Sequence, residues 1–338
     1  MSDTAKPFPP LIDLDGPDVP AQIDRACTEI GFFQIVGHGI PTEVIDRMLA
    51  QVDAFFGRPL NEKLAWGSGL AEIERGYSAK GTEGFGYSMD VEQPPDLMEA
   101  LTMGLDELPD DAAYHTDDHQ SFAPNIWPDD QPELRPAMLE YYGYAERTVH
   151  RITSLMAQAL GMPADYFEPF TDRSMDALRV NWFEGSEAVL PNQFGVGAHT
   201  DYGVTTLLLA DQTPGLQVYV GDEWIPVLPV EGALLVNIGD LMARWTNDRW
   251  RSTLHRVQPV QSLAGKYAKR RSIPFFHEGN FDAYVECLPT CCGPDNPAKY
   301  PPITSGAHVL AKILKGRGLT AEGAENTIGD RTAALVND

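Results

Sequence analysis

His199 and Asp201 stand two residues apart in Gly197-Ala-His199-Thr-Asp201-Tyr-Gly203, just ahead of an apolar run from Thr205 to Ala210. On a strand, that spacing aims both side chains at one face, because strand side chains alternate. One imidazole and one carboxylate make two thirds of a three-ligand metal site. The third ligand has to come from a distant strand. His255, in Arg251-Ser-Thr-Leu-His255-Arg-Val257, is the best candidate. Two His and one carboxylate on one side of a metal leave open positions, an arrangement suited to non-haem Fe(II) and O2. A His-x-Asp pair alone is a common surface feature, so its meaning depends on the rest of the chain.

A second pair follows in Lys269-Arg270-Arg271-Ser272-Ile273-Pro274-Phe275-Phe276. Arg270 and Ser272 again share one face of a strand. An inward guanidinium is costly unless a carboxylate meets it. A planar fork plus one hydroxyl suits the far carboxylate of a dicarboxylic acid. Three aromatic residues are candidates for contact with a substrate: Tyr77 in a glycine-rich loop, Phe194 just before the metal strand, and Phe276 after the Arg/Ser pair. Walls of that kind favour a small aromatic or lipophilic metabolite.

These residues need strands to carry them. After Asp176 eight short β-rich runs follow one another, at 177–183, 196–200, 204–210, 216–220, 224–227, 233–238, 253–259 and 272–277. Strands at this density, with turns such as Thr213-Pro-Gly215 between them, read as a jelly roll or barrel. Asn237-Ile-Gly-Asp240 leads into a short helix from Leu241 to Thr246.

The N-terminal half is mixed. Strands are expected at Pro9–Leu14, Phe32–Val36 and Asp96–Met103. Helices are expected at Val19–Ile30, stopped by Gly31, from Pro41 (as its first residue) to Phe56, and over Pro132–Gly161, where apolar residues recur three or four apart. His38, between two glycines, reads as a turn residue. Ala65–Gln93, rich in Gly and aromatics, reads as a long surface loop of the kind that carries function. Asp106–Asp118 is acidic and expected to be exposed. Helices followed by a sheet within one unit give an α+β fold, with helices bracing one face of the core.

Length and composition limit the possibilities. A chain of 338 residues with 43% hydrophobic and 22% charged residues can bury a sizeable core. The formal net charge of −24 argues against nucleic acid or an anionic membrane surface as a partner. No apolar run approaches the roughly 18 residues of a membrane span, and the N-terminus lacks the pattern of a signal peptide. Cys27, Cys287, Cys291 and Cys292 form no Cys-x-x-Cys pair. They read as reduced thiols, with the cytoplasm as the expected compartment.

The chain resembles the isopenicillin N synthase-like branch of the Fe(II)/2-oxoglutarate-dependent oxygenases along nearly its whole length. The similarity lies in Pro10-Leu-Ile-Asp13-Leu, Gly31-Phe-Phe-Gln-Ile-Val-Gly-His-Gly-Ile-Pro41, His199-Thr-Asp201, Pro214-Gly-Leu-Gln217, Asn237-Ile-Gly-Asp240, Leu254-His255-Arg256-Val257 and Arg270-x-Ser272-x-Pro-Phe-Phe276. The resemblance implies a double-stranded β-helix (jelly-roll) core over 166–318, braced by an N-terminal region over 1–165 and followed by a C-terminal tail over 319–338. It implies Fe(II) on His199, Asp201 and His255. It implies 2-oxoglutarate as cosubstrate, its far carboxylate on Arg270 and Ser272, with Asn181 helping to hold it. The implied reaction uses O2 to oxidise, by default to hydroxylate, a C–H bond of a small molecule, releasing succinate and CO2.

One departure stands out. The family usually carries Asn-x-Tyr on the strand before the metal pair, and here it is Asn181-Trp182-Phe183. The missing phenol leaves open an Fe/O2 oxidase that works without 2-oxoglutarate. The same three ligands could also form a zinc hydrolase site, and the scaffold could serve a metabolite-binding protein that does no chemistry.

Overall fold

The computed structural model describes residues 7–70, 73–84, 93–115, 122–185, 189–259 and 268–316. Parts of two expected segments fall outside that range, the glycine-rich loop at 71–72 and 85–92 and the acidic stretch at 116–118, and so does the link at 260–267 between the last two strand runs. The tail over 319–338 lies outside it entirely.

The chain opens with strand β1 (Leu11–Asp13), helix α1 (Val19–Glu29), strand β2 (Phe32–Val36), helix α2 (Thr42–Phe56) and the short helix α3 (Leu60–Leu64). Helix α1 stops where expected. Gly31 takes a φ of +78°, and a Cβ there would lie 2.1 Å from the carbonyl oxygen of Arg251. Only glycine fits such a site. Pro41 sits one residue earlier than expected, as the extended residue capping α2. His38 is the turn residue foreseen: its Nδ1 accepts from the Ile40 amide and its other nitrogen lies 3.2 Å from the Gly232 carbonyl.

Strands β3 (Gly76–Ser78) and β4 (Glu99–Met103) follow, then the long helix α4 (Leu134–Ala159) and the single turn α5 (Glu168–Thr171). Strand β3 corrects the reading of Ala65–Gln93 as irregular. Its three residues pair with β4, and its period-two pattern is too short to read against the flanking glycines. Helix α4 buries Met138, Tyr141, Ala145, Val149, Ile152 and Met156 along one stripe against the sheet and against α1 and α2.

The eight runs after Asp176 all form strands: β5 (Ala177–Phe183), β6 (Val196–His199), β7 (Thr205–Ala210), β8 (Leu216–Val220), β9 (Glu223–Pro226), β10 (Leu234–Ile238), β11 (His255–Val257) and β12 (Arg270–His277). Helix α6 (Asp240–Trp245) interrupts them. A small pair, β13 (Tyr284–Val285) and β14 (Ile303–Thr304), leads into helix α7 (Ser305–Gly316), which the sequence reading did not foresee.

The strands form two main sheets. One has the order β1-β2-β10-β7-β12-β5-β4-β3, the other β6-β11-β8-β9. From β5 to β12 the chain alternates between them, except for the β8–β9 hairpin. No closed barrel forms among the described residues; of the two architectures expected, the layered one is observed. Strands β2 and β4, from the N-terminal half, extend the larger sheet through β10 and β5. Between the sheets, Phe32, Met98, Phe183, Val196, Leu216, Val218, Leu235 and Val257 form an apolar filling. No helix of the described residues is long and apolar enough to cross a membrane.

Candidate active site

Strands β6 and β11 lie side by side and antiparallel, with His199 directly opposite His255. This register brings two imidazoles from distant parts of the sequence to a ring-centroid separation of 4.3 Å. Asp201 completes the group. Its Oδ1 lies 3.8 Å from His199 Nε2 and 3.7 Å from His255 Nε2. One ligand atom from each residue falls within 4.8 Å of the others, and all three side chains are buried.

Asp201 does not reach this position as the sequence reading supposed. Strand β6 ends at His199, so strand alternation does not aim the carboxylate. The loop is pinned instead. The Asp201 carbonyl accepts from the Asp240 amide at 2.8 Å, and Oδ2 accepts from Thr206 Oγ1 at 2.5 Å and Asn237 Nδ2 at 2.6 Å. Beneath the loop Gly239 backs onto Gly203 so closely that a Cβ would stand 2.1 Å from the Gly203 carbonyl oxygen. Oδ1 is left facing the imidazoles.

The imidazoles are oriented in the same way. His199 Nδ1 lies 2.8 Å from the Gly197 carbonyl and His255 Nδ1 3.1 Å from the Thr253 carbonyl. A carbonyl can only accept, so each Nδ1 carries the proton and each Nε2 presents a lone pair toward Asp201. Burial, helped by the neighbouring His255, pushes His199 down to about 4 and keeps it neutral. Burial works the other way on Asp201, but the two histidines and the two hydrogen-bond donors outweigh it and lower its pKa. Two imidazole nitrogens and one carboxylate oxygen, all aimed at one point, fit a divalent transition metal.

The second pair is on the opposite sheet. Arg270 Nη1 donates to Ser272 Oγ at 3.0 Å, so the two do share a face of β12. The guanidinium is buried, its Nε has no hydrogen-bond partner among the described residues, and it stands 5.2 Å from the Phe183 ring centroid. Burial draws Arg270 down to about 10 against a weak opposing pull from Asp211. A buried cation with an unused donor is suited to the far carboxylate of 2-oxoglutarate. Asn181 lies opposite Ser272 on β5, though its Oδ1 is engaged by Arg179 Nε at 2.9 Å. Phe183, lacking a hydroxyl, offers Arg270 its ring face instead.

A cavity of about 550 Å³ opens beside His199 and Asp201. Tyr77 and Phe276 contribute to its wall as expected. The Tyr77 hydroxyl is spent, donating to Glu99 at 2.7 Å. Phe194 is elsewhere: it packs under the Arg256 guanidinium, 5.2 Å away, and takes no part in the lining. The wall is also more polar than expected, with Glu74, Arg75, Glu83, Arg179 and Glu278. Arg179 pairs with Glu83 at 2.5 Å. Three contributors went unnoticed in the sequence. Thr206 and Asn237 support Asp201 only through the fold. Glu278 could have been found, because Arg270, Ser272, Phe276 and Glu278 continue one period-two series.

These features make a site fit for a divalent transition metal, beside a cavity and facing a buried guanidinium on the second sheet. Residues 9–130 match the family model described as non-haem dioxygenase in morphine synthesis N-terminal, and residues 176–279 match that of the 2OG-Fe(II) oxygenase superfamily. The chain is 36% identical over 317 residues to the 2-oxoglutarate-Fe(II) type oxidoreductase hxnY of Emericella nidulans, spanning 90% of this chain and 88% of that one. It is 31% identical over 316 residues to a homoarginine-6-hydroxylase of Arabidopsis thaliana, spanning 92% and 90%. Among solved structures it is similar to a full-length Neurospora crassa protein in complex with alpha-KG, with a TM-score of 0.79, 28% identity, and 92% and 97% of the two chains covered.

The chain therefore belongs to the 2OG-Fe(II) oxygenase superfamily. It is a non-haem iron dioxygenase dependent on Fe(II) and 2-oxoglutarate, with the double-stranded β-helix core of that family. The readings as a 2-oxoglutarate-free oxidase, a zinc hydrolase or a non-enzymatic binding protein fall away.

Proposed function

We propose that this dioxygenase hydroxylates a C–H bond of a small-molecule metabolite, with Fe(II) on His199, Asp201 and His255 and the far carboxylate of 2-oxoglutarate on Arg270 and Ser272. The carrying observation is the convergence of His199 Nε2, His255 Nε2 and Asp201 Oδ1 within 4.8 Å, with both Nδ1 atoms already committed to carbonyls. When bound, the iron supplies O2 activation coupled to decarboxylation of the cosubstrate, releasing succinate and CO2.

The protein's own part is positioning. Gly197 and Thr253 fix the imidazole planes through their carbonyls. Thr206 and Asn237 hold one oxygen of Asp201 so that the other faces inward. Arg270 and Ser272 set the register of the dicarboxylate, and the Phe183–Val257 side of the apolar filling keeps water from it. The cavity over His199 and Asp201 takes the substrate, with Tyr77 and Phe276 as walls and Phe194 outside. Residues 166–318 act as the jelly-roll catalytic core and 1–165 as its brace, the two sharing one sheet. The free thiols Cys27, Cys287, Cys291 and Cys292 support a reducing compartment such as the cytoplasm.

Anaerobic titration of the apoprotein with Fe(II) and then 2-oxoglutarate tests the assignment. A weak visible charge-transfer band, absent with Fe(II) alone and lost in Arg270→Gln, is expected. Iron binding with no band in the wild type refutes the cosubstrate placement.

A further inference from the structure

Glu278 follows the last residue of β12 and lines the cavity. It is only 9% exposed; its Oε2, packed beside Gly203, is buried without a hydrogen-bond partner, and its carboxyl joins no ion pair among the described residues. The other carboxyls of the lining are engaged. Glu83 pairs with Arg179, Asp201 accepts from Thr206 and Asn237, and Glu74 has interactions of its own. Burial, then Asp176 and Asp201, raise the Glu278 pKa well above the usual carboxylate range. An unpartnered carboxyl in such surroundings is held at a cost.

The fold nevertheless fixes it there. The Glu278 amide donates to Asp176 Oδ1 at 3.1 Å, its carbonyl accepts from Ser305 Oγ at 2.5 Å, and the next amide, of Gly279, donates to Ser174 Oγ at 2.8 Å. His277 Nδ1 holds Asp176 from the other side at 2.9 Å. A solvated surface glutamate needs no such anchoring. The charges of the wall add a direction. With Asp201 assigned to the metal, three carboxyls (Glu74, Glu83, Glu278) face two guanidiniums (Arg75, Arg179). Among the described residues Glu278 is the lining carboxyl left without a cationic partner, and a substrate N–H cation beside it would favour its ionised, accepting form.

We propose that Glu278 is a specificity-determining residue that accepts a hydrogen bond from an N–H group of the substrate, so that the substrate is a small nitrogen-bearing molecule: an amine, an amidine or guanidine, or a heterocycle with a ring N–H. This inference rests on the dioxygenase reading of the cavity given above. It also refines the expectation of a small aromatic or lipophilic substrate. The apolar walls, Phe276 and Ile313, hold the carbon skeleton, and Glu278 fixes the nitrogen end beside the metal ligands.

The test uses the full chain loaded with Fe(II) and 2-oxoglutarate, with succinate release as the readout. The probes are matched sets: piperidine, benzylamine and guanidine derivatives against their carbocyclic, hydroxyl and carboxylate counterparts. Nitrogen members are expected to stimulate succinate release, and Glu278→Gln to raise their KM by about tenfold or more with a smaller change in kcat. The inference is overturned if carbocyclic or carboxylate members stimulate equally well. It is equally overturned if Glu278→Gln handles the nitrogen compounds with unchanged KM. Should the variant fail to fold, the wild-type comparison alone decides. Absence of the Fe(II)/2-oxoglutarate band in the wild type removes the underlying reading; a normal band with no response to any nitrogen compound removes only this one.

Discussion

Lys312, on helix α7, places its Nζ 3.0 Å from Asp240 Oδ2, and that same oxygen accepts from Thr200 Oγ1 at 3.2 Å. Thr200 is the residue between His199 and Asp201. A helix near the end of the described chain is thus tied to the link between His199 and Asp201, two residues of the proposed metal site. Asp240 is fully buried and Lys312 is its one cationic partner among the described residues. Lys312→Met should therefore strand a buried carboxylate and cost about 3 kcal/mol of stability. It should also weaken Fe(II) binding, by loosening Thr200. Thermal melts and anaerobic calorimetry read the two effects. An unchanged melting temperature would show that the pair contributes nothing.

Asn237 tests the support of Asp201. Replacing it with Ala removes the donor 2.6 Å from Oδ2 and leaves the ligand atoms untouched. Fe(II) affinity should fall about 10- to 100-fold while the far-ultraviolet circular dichroism spectrum stays the same. Asp201→Ala, by contrast, should abolish turnover. Substantial succinate production by that variant would remove Asp201 from the ligand set.

Arg270→Lys keeps a positive charge but loses the planar fork. 2-Oxoglutarate affinity should drop by at least about tenfold while Fe(II) affinity stays as in the wild type. If both affinities fall together, Arg270 acts on the fold and not on the cosubstrate.

His308 gives a pH dependence. Burial pushes it down to about 4, and its Nε2 has no hydrogen-bond partner among the described residues. An unfolded histidine titrates near 6.5, so between that value and about 4 the unfolded chain binds the extra proton. The contribution of His308 is therefore complete above the unfolded value and is lost as pH falls toward 4. The loss approaches about 1.4 kcal/mol per pH unit across that window. Urea melts at pH 7 and pH 4.5 should show a smaller difference in His308→Gln than in the wild type. Equal differences would mean that His308 is accessible to protons in the folded state.

Much of the site was legible before any coordinates. His255, Arg270 and Ser272 could be found because a strand of alternating side chains either aims a residue inward or does not, and the surrounding residues decide which. The eight core strands were legible for the same reason. Asp201 was assigned the right neighbours on the wrong grounds: its direction comes from Thr206, Asn237 and the Asp240 amide, contacts that link positions distant in the chain. Helix α7 escaped notice although Thr304 Oγ1 caps it by accepting from the Ala307 amide at 3.3 Å, because Gly306 in its first turn weakens the helical signal. What buries Val309 is a cluster with Tyr114, Phe122 and Met175 that only the folded chain assembles. Phe194 was misjudged because proximity along the chain to a metal strand says nothing about which side of the sheet the next turn faces.

The division of labour between the two sheets has a mechanical consequence. His199 and His255 belong to the smaller sheet, Arg270 and Ser272 to the larger, and among the described residues no strand of one hydrogen-bonds to a strand of the other. With iron and the far carboxylate on these two layers, as proposed, the cosubstrate would act as a rivet through both. Each turnover would shorten that rivet, because succinate has one carbon fewer and no keto group. The layers would then be held together most firmly in the charged enzyme and least firmly when product is due to leave.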